Sequence, residues 1–374
     1  MQENNTSSVN NTHPQLKIAS LNLFNYLEPP NAFYQFERIY SQEQWQKKQH
    51  WIKQYLSTYL PDVIGFQEVF SIESLKSLLL AEGYHYFQVV DQATVIDDFI
   101  YHSPVVAIAS RFPIIDCSAV AANSDLTTLL GINKGFDYSR KVLRATIDLP
   151  HIGYCDCYVV HLKSKRPLLP PEYQSTQNKQ EQCTEALALT ELKLQILGGW
   201  AATIQRGSEA SLLMVEIINR KAATQYPFVV MGDFNNNLID GVLSHLLTDK
   251  LNQLESVITE KIKQQHLRKY YLYDAWQLFT KAYCNEQASK SDQSINKTLN
   301  KVMLKRKATH YYGATGSVLD YILLSCEFDA SYDDSFFLVS DFHTYDKHLI
   351  KPNFEQDGDS SDHAAITITL TLRS

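Results

Sequence analysis

Six short segments of the chain place acidic, amide and imidazole side chains directly at the boundary of an apolar run. They are Ser20-Leu21-Asn22, Gln67-Glu68, His161-Leu162-Lys163-Ser164-Lys165, Gly232-Asp233-Phe234-Asn235, Leu319-Asp320-Tyr321 and Ser361-Asp362-His363. Side chains at the ends of β-strands are held rigidly, as chemistry requires. A cluster of such groups at one end of a core is costly unless something compensates its charge. A divalent cation together with a phosphate would compensate it, so the segments indicate phosphate chemistry.

The elements that would position these segments are strands and helices that alternate along the chain. Strands are predicted at 16–22, 63–66, 84–90, 104–109, 142–149, 154–162, 227–232, 318–324 and 364–372. Helices are predicted over 44–60, over 71–82 and over 181–224, the last with breaks at Gly198-Gly199 and Arg206-Gly207. The strands are too numerous for one small sheet. Two packed sheets flanked by helices are therefore expected, in one domain over residues 16–374.

Composition and charge exclude several classes of protein. The chain has 374 residues, of which 44% are hydrophobic and 20% charged, as in globular proteins with a sizeable core. The 34 Lys and Arg residues against 41 Asp and Glu residues give a net charge of −7. A simple nucleic-acid-coating protein would be basic, so that class is excluded. Any phosphate must therefore be bound by local basic groups or by a metal.

Membrane spans, export signals and disulfides are not expected from the sequence. No apolar run approaches the roughly 18 residues of a membrane span, so we expect no integral membrane association. Residues 1–15 form a polar tail without the features of a signal peptide, and we expect this tail to be disordered. Cys155 and Cys157 would share one face of a strand and are poorly placed to bridge each other. All six cysteines are expected to be reduced, as in a cytoplasmic protein.

In type and order, the six motifs resemble the endonuclease/exonuclease/phosphatase superfamily, which has the DNase I-like fold. The order is an Asn that closes the first strand, Gln-Glu, a His-bearing strand, Gly-Asp-Phe-Asn, an Asp before Tyr-Ile, and a terminal Ser-Asp-His. The resemblance extends from about Leu16 to Leu372. It implies a four-layered α/β sandwich, in which two packed, mainly antiparallel β-sheets are flanked by helices. It also implies metal-dependent hydrolysis of a phosphate ester.

The resemblance implies a metal site. Glu68 is expected to be the main ligand of Mg²⁺ or Mn²⁺, because hard cations prefer carboxylate oxygen. Asn22 and Asp362 are expected to complete the surroundings of this ion. The metal would polarise a phosphoryl oxygen and stabilise the leaving oxyanion.

The resemblance also implies catalytic roles for five residues. His363 is expected to be the general base or to orient the attacking water, and Asp320 to fix the tautomer of His363. Asp233 and Asn235 are expected to position the water and a phosphate oxygen. His161 is expected to donate to a non-bridging oxygen or to assist the leaving group.

Basic residues near these motifs are candidates for phosphate contacts. Arg140, Arg144 and Lys163 are the candidates, and Lys163 shares a strand face with His161 by alternation. A basic insertion around 285–310 and a second basic cluster at 261–269 have two interpretations. They are either solvated surface segments or arms that follow a phosphate backbone.

The sequence predicts the residues of the site in more detail than it predicts the substrate. Phe24 stands where abasic-site repair enzymes carry an acidic residue, and Phe234-Asn235-Asn236 departs from the inositol polyphosphate 5-phosphatase pattern. Ser139-Arg140 and the segment 161–165 resemble bacterial nucleases of the superfamily, although Asn236 replaces their final acid. The first hypothesis is therefore a nuclease whose partner is DNA or RNA. The alternatives are a phosphatase or phosphodiesterase acting on a lipid headgroup or small phosphate ester, and a non-catalytic binding protein.

Overall fold

A computed structural model of the chain describes residues 13–132, 135–169, 185–239, 241–247, 266–290 and 304–373. The strands are β1 Gln15–Tyr26, β2 Ala32–Phe33, β3 Val63–Val69, β4 Tyr86–Val89, β5 Thr94–Ile96, β6 Ile100–His102, β7 Val105–Ser110, β8 Ile114–Ala119, β9 Leu143–Leu149, β10 Gly153–His161, β11 Phe228–Asp233, β12 Tyr273–Asp274, β13 His310–Tyr312, β14 Thr315–Ser317, β15 Asp320–Leu324, β16 Phe337–Tyr345 and β17 Ala365–Leu372. The helices are α1 Gln42–Tyr59, α2 Ile72–Ala81, α3 Ser124–Leu129, α4 Glu185–Thr224, α5 Ala275–Lys290, α6 Lys347–Ile350 and α7 Phe354–Asp357. Short 3₁₀ turns lie at Ser244–Leu246, Arg268–Tyr270 and Cys326–Phe328.

Two large sheets form the centre of the described structure. One has the strand order β16-β17-β1-β3-β7-β4 and the other β12-β15-β11-β10-β9-β8. Within them, β1 pairs with β3 and β10 pairs with β11 in parallel, whereas the other neighbouring strands pair antiparallel. The expectation of two mainly antiparallel sheets is therefore confirmed.

The layers follow from the directions in which alternate side chains of each strand point. On β10, Cys157 and Val159 face the core between the two sheets, whereas Tyr158 and Val160 pack toward α4. Such strands are apolar on both faces because both faces are covered. Helices α1 and α2 cover the outer face of the first sheet through residues such as Trp51 and Leu75. The order helix, sheet, sheet, helix confirms the expected four-layered α/β sandwich.

The two sheets approach each other closely at Gly65 on β3. An ideal Cβ atom at Gly65 would lie 2.9 Å from Sδ of Met231 and 3.0 Å from Cγ2 of Val159, both on the second sheet. Side chains in protein interiors are close-packed, so even one added methyl group there must displace a neighbour. The spacing of the sheets therefore depends on a glycine at this position.

Local sequence explains the ends of α1. The Ser41 hydroxyl accepts from the Gln44 backbone N at 3.2 Å, and the Gln44 side chain accepts from the Ser41 backbone N at 2.8 Å. This reciprocal pair satisfies two backbone donors at the start of the helix. The helix ends at Leu60, in the left-handed conformation, directly before Pro61. The prediction of this helix over 44–60 is confirmed to within two residues.

The predicted break in the helix at 181–224 is wrong. Helix α4 runs without interruption from Glu185 to Thr224, through both Gly198-Gly199 and Arg206-Gly207. A glycine costs only about 1 kcal/mol in a helix interior, and tertiary packing can outweigh that. An ideal Cβ at Gly198 would lie 2.7 Å from the Leu168 carbonyl oxygen. Gly198 therefore permits a close approach of the helix to a loop, and it does not end the helix.

The two adjacent glycines of α4 are predicted to respond oppositely to alanine. An ideal Cβ at Gly199 meets no described atom within 4 Å, so Gly199→Ala is expected to raise the free energy of unfolding by about 1 kcal/mol. Gly198→Ala is expected to lower it by about 1–3 kcal/mol, because the methyl group would collide with Leu168. Urea denaturation of both variants measures the difference. Equal effects in the two variants would contradict the proposed role of Gly198.

Among the elements that the structure describes, eight strands and four helices were not predicted, and most of them are short. Strand β8 and strand β16, which lies at the edge of the first sheet, were missed, as was helix α5. The side chains of β8 are half-buried or exposed, so its sequence lacks a continuous apolar run. Residue Gln15, assigned to the tail, begins β1, and residues 1–12 of that tail lie outside the described residues.

The described basic residues of the two clusters are largely paired with carboxylates. Arg306 is ion-paired with Asp274 and lies 4.5 Å from the centre of the Tyr321 ring. Lys307 pairs with Asp346 at 2.9 Å. From the earlier cluster, Arg268 pairs with Asp329 at 2.8 Å. These cations have a structural role, and residues 261–265 and 291–303 lie outside the described part of the chain.

The described part of the chain has free cysteines and lacks a helix that could span a membrane. Cys155 and Cys157 face the core between the sheets, as alternation predicted, and the five described cysteines carry free thiols. Cys183 lies outside the described residues. Within the described ranges, no helix combines the length and the apolar content needed to cross a bilayer.

Candidate active site

The polar motifs meet because of where the parallel strand pairs end. In the first sheet, Asn22 lies opposite Gln67 at the ends of β1 and β3. In the second sheet, His161 lies opposite Asp233 at the ends of β10 and β11. Asp233 is also paired with Asp320 at the start of the antiparallel strand β15. The two sheets therefore bring four strand ends and one strand start to the same edge of the sandwich.

Asp233 lies at the centre of the cluster. Its carboxylate accepts from Asn22 Nδ2 at 3.3 Å and from the Asn235 backbone N at 2.7 Å. Its Oδ2 also lies 3.5 Å from His161 Nε2 and 3.9 Å from His363 Nε2. Burial raises the pKa of Asp233 to about 7, although His363 acts against this rise. The carboxyl group is thus poised to exchange a proton near neutral pH.

His363 is held by a buried carboxylate. Its Nδ1 donates to Oδ2 of Asp320 at 2.9 Å, which leaves Nε2 directed toward Asp233. Burial disfavours the charged imidazole, but the carboxylates of Asp320 and Asp233 outweigh it and raise the pKa of His363 well above its usual range. The Ser361 hydroxyl accepts from the His363 backbone N at 3.0 Å and donates to the Asn22 carbonyl at 2.7 Å. This serine ties the loop before β17 to the end of β1.

Glu68 is turned into the cluster by an unusual backbone conformation. Its φ is 62°, and Asn25 and Asn235 are also left-handed, with φ of 55° and 52°. Such conformations are uncommon outside glycine and concentrate at functional sites. The Glu68 carboxylate accepts from the Asn25 backbone N at 3.0 Å and lies 4.0 Å from His161 Nε2. Burial and the neighbouring Asp362 carboxylate raise the pKa of Glu68 above its ordinary range.

The donor set around Glu68 fits a hard cation. Glu68 and Asp362 offer carboxylate oxygens, and the amide oxygen of the Asn25 side chain is buried without a hydrogen-bond partner in the described structure. The amide of Asn22 is buried beside Asp233. Mg²⁺ and Mn²⁺ are typically bound by such oxygen atoms, and a cation would offset the carboxylate repulsion that raises the pKa of Glu68.

The comparison with protein families shows to which family this chain belongs. The model of the Endonuclease/Exonuclease/phosphatase family matches residues 39–363. The chain belongs to this family. Its members are generally hydrolases that act on phosphoester bonds, and the DNase I-like fold expected from the motifs is confirmed. Among curated protein sequences, no match to this chain was found.

Solved structures of the family have the same fold. The human Nocturnin catalytic domain with bound sulfate has a TM-score of 0.54 and 15% identity, covering 97% of this chain and 95% of that one. A truncated TDP2 from Caenorhabditis elegans has a TM-score of 0.50 and 13% identity, covering 96% and 97%. A family protein from Bacteroides thetaiotaomicron has a TM-score of 0.50 and 14% identity, covering 97% and 99%. At these identities the likeness establishes the fold alone.

The eight residues assigned to metal binding and catalysis from the family motifs come together in the structure. They are Asn22, Glu68, His161, Asp233, Asn235, Asp320, Asp362 and His363. Asn235 also donates from Nδ2 to the Leu162 carbonyl at 3.0 Å, which ties β10 to the loop after β11. Burial, followed by the positive charge of Arg140, lowers the pKa of His161 well below its usual range. Both effects favour the neutral imidazole of His161.

The three candidate phosphate-binding residues differ in position. Arg140 is half-buried, and its charge acts on Glu68 and His161, so it lies beside the cluster. Lys163 also acts on His161, but its ammonium donates to the carbonyls of Ser164 and Arg166. Arg144 is not brought to the cluster.

The position of Arg144 corrects the expectation from sequence. Its guanidinium pairs with Asp116 at 2.7 Å and with Asp156 at 3.5 Å. Strand alternation explains this, because Arg144 on β9 lies opposite Tyr158, whose side chain packs toward α4 and away from the inter-sheet core. Arg144 therefore stabilises the outer surface of the second sheet.

Two buried charges that support the site were missed in the sequence. The Glu209 carboxylate on α4 accepts from the backbone N of Lys163 and of Ser139, each at 2.7 Å. The buried Lys48 on α1 donates to the carbonyls of Ser360 at 2.7 Å and Asp359 at 3.2 Å, and so holds the loop before Asp362. Both lie on the inward faces of amphipathic helices, where a charged residue needs a partner.

Asp233 and His363 are predicted to make the metal-free protein less stable as pH rises. The pKa of Asp233 is about 7 in the folded state, above the value of 3.8 for a free side chain, so folding retains a proton that the unfolded chain releases above about pH 4. The pKa of His363 is also raised, so its contribution to the free energy of unfolding also falls as pH rises. In EDTA these two groups should therefore lower the melting temperature as the pH rises from 5 to 8, whereas His161, whose pKa is lowered, acts in the opposite direction.

Asp233→Asn should reduce this pH dependence, since it removes one of the two groups. Asp148→Asn, on the exposed face of β9, is the matched control and should leave the dependence unchanged. Thermal unfolding followed by circular dichroism measures both. An identical dependence in Asp233→Asn and in the unsubstituted protein would show that Asp233 is ionised in the folded state at pH 5.

Proposed function

We propose that this protein is a divalent-metal-dependent nuclease that hydrolyses phosphodiester bonds of DNA or RNA. The observation that carries the proposal is the convergence of Glu68 and the His363–Asp320 pair on Asp233, at one edge of the sandwich. Mg²⁺ or Mn²⁺ held by Glu68, with Asn22 and Asp362, would supply charge neutralisation at a phosphoryl oxygen and at the leaving oxygen.

The directions in which the pKa values are shifted indicate which residue accepts a proton and which residue donates a hydrogen bond. Asp233, with a pKa of about 7, is suited to accept the proton of the attacking water. Asn235 donates to Asp233 from its backbone and side chain and so holds this carboxylate in place. His363, whose pKa is raised, is suited to donate a charged hydrogen bond to a phosphate oxygen. Of the two roles expected for His363, general base or orientation of the attacking water, this division disfavours the first, because the Asp320 and Asp233 carboxylates hold the proton on His363.

His161 and the basic residues would bind the phosphate. The neutral His161 can donate one hydrogen bond to a non-bridging oxygen without adding charge, while Arg140 supplies a positive charge beside it. Lys165 and Arg166 are exposed directly after this strand, where they can contact neighbouring phosphates of a polynucleotide. The cations that adjoin the site therefore favour a polynucleotide as the substrate.

Nicking of supercoiled plasmid by the purified protein tests the proposal. Mg²⁺ or Mn²⁺ should support nicking, and EDTA should abolish it. Single-stranded DNA and RNA should be offered in the same conditions. Intact nucleic acid in all three assays would reject the nuclease proposal.

A phosphatase or phosphodiesterase with a small or lipid-headgroup substrate is the second candidate. The observation that favours it is that Arg268, Arg306 and Lys307 are engaged in ion pairs, so these basic residues are not available to a polynucleotide. A panel of phosphoinositides, sphingomyelin and nucleotides should then release phosphate or a phosphorylated headgroup. Hydrolysis of one of these with nucleic acid left intact would select this candidate.

A further inference from the structure

A third imidazole adjoins the site although none of the family motifs contains it. His310 begins β13 and forms an isolated β-bridge with His363. The centres of the two rings are 4.9 Å apart. One potential ligand atom from each of His310, Asp362 and His363 lies within 4.8 Å of the other two. His310 and Asp362 are half-buried, so this group opens toward solvent.

The backbone holds these three side chains in place. The Thr309 carbonyl accepts from the Ala364 N at 2.7 Å, which joins the segment before β13 to the start of β17. The Thr309 hydroxyl accepts from the backbone N of Leu319 at 2.9 Å and of Asp320 at 3.1 Å. The segments that carry His310, His363 and Asp320 are thus tied to one residue. A site whose supporting hydrogen bonds are complete can bind a ligand without large rearrangement.

The donor set of this group differs from that around Glu68. Two imidazoles and one carboxylate are ligands that suit Zn²⁺, which commonly takes three such side chains and keeps a fourth position open. Mg²⁺ prefers oxygen ligands and is disfavoured by imidazole. Asp320 already accepts from Nδ1 of His363, and a carboxylate in that position orients a metal-binding histidine. Asp362 has two carboxylate oxygens, so it can serve both this group and the cation expected at Glu68.

We propose that His310, Asp362 and His363 form a second cation site, selective for Zn²⁺ over Mg²⁺, and that Zn²⁺ bound there inhibits hydrolysis. Zn²⁺ displaces the proton from Nε2 of His363 to solvent, and inhibition follows because this imidazole can then no longer donate to the phosphate. Binding of Zn²⁺ does not depend on the proposed function, whereas its inhibitory effect rests on that function.

Calorimetric titration of Zn²⁺ into the full chain in excess Mg²⁺ tests the binding. One equivalent of Zn²⁺ should bind to the unsubstituted protein. His310→Gln should weaken this binding by at least about tenfold, the smallest loss usual even for partners of a metal ligand. His343→Gln is the matched control, because exposed His343 pairs with Asp341 at 2.7 Å but belongs to no described three-ligand group. Equal Zn²⁺ affinity in His310→Gln and the unsubstituted protein would overturn the proposal, as would a lack of binding to the latter.

Inhibition is measured separately, relative to the rate of each variant without Zn²⁺. The Zn²⁺ concentration for half-inhibition should rise at least about tenfold in His310→Gln and stay unchanged in His343→Gln. A protein that binds Zn²⁺ but hydrolyses no substrate would reject the proposed function and leave the Zn²⁺ site intact. If His310→Gln leaves the Zn²⁺ concentration for half-inhibition unchanged, the proposed inhibitory role of this site is rejected.

Discussion

Glu68→Gln will reduce metal-dependent hydrolysis by about 10³-fold, since a metal site contributes several kcal/mol to the transition state. Glutamine keeps the shape and the hydrogen-bond acceptor for the Asn25 backbone N but removes the charge that a hard cation requires. Calorimetric titration with Mn²⁺ should show that binding at this site is lost together with activity.

The same substitution is expected to leave the fold intact and even to stabilise it without metal. Burial and Asp362 raise the pKa of Glu68, so its charge is unfavourable when no cation is present. The melting temperature of Glu68→Gln in EDTA at pH 8 should therefore equal or exceed that of the unsubstituted protein. Glu73→Gln, an exposed residue in the first turn of α2, is the control for both measurements. Full activity of Glu68→Gln would refute the assignment of Glu68 to the metal.

Asp320→Asn will shift the pH profile of hydrolysis and lower the rate at alkaline pH by about 10²-fold or more. The Asp320 carboxylate is the strongest of the interactions that raise the pKa of His363 against the effect of burial. Asparagine removes that interaction, so His363 loses its proton at a lower pH. If the imidazolium is the active form, the alkaline limb of the profile moves to lower pH.

The direction of this shift separates the two roles of His363. If neutral His363 acts as the general base, Asp320→Asn should instead move the acid limb to lower pH and preserve activity on the alkaline side. Asp341→Asn is the control, because this exposed carboxylate pairs with His343 outside the site. Profiles of kcat and kcat/KM between pH 5 and pH 9 distinguish the outcomes. An unshifted profile in Asp320→Asn would show that His363 titrates independently of Asp320.

Local periodicity predicted most of the strands and helices that build the two sheets. Strands such as β10 and β11 are continuous apolar runs because both faces are buried, and such runs are visible in sequence. Strand β16 was missed because it lies at an edge and alternates buried with exposed residues. Helix α4 was predicted to break at Gly198, since sequence does not show that the Leu168 carbonyl approaches it there.

Side chains at the site could be predicted where a motif marks a strand end. Asp233 follows an apolar run and His363 precedes one, and the end of such a run can be located from local sequence alone. Arg144 was misplaced because the choice between two faces of a strand depends on which face packs on the other sheet. Lys48, Glu209 and His310 were missed because their partners are distant in sequence and are brought close only by the fold.

Gly65 brings two sheets close together, and the site is divided between those same two sheets. Asn22 and Glu68 come from one sheet, whereas His161, Asp233 and Asp320 come from the other. The rate of the proposed hydrolysis therefore depends on how the two sheets are positioned relative to each other. Compression, cosolvents or substitutions in the shared core should therefore alter the rate of the proposed reaction before they alter secondary structure.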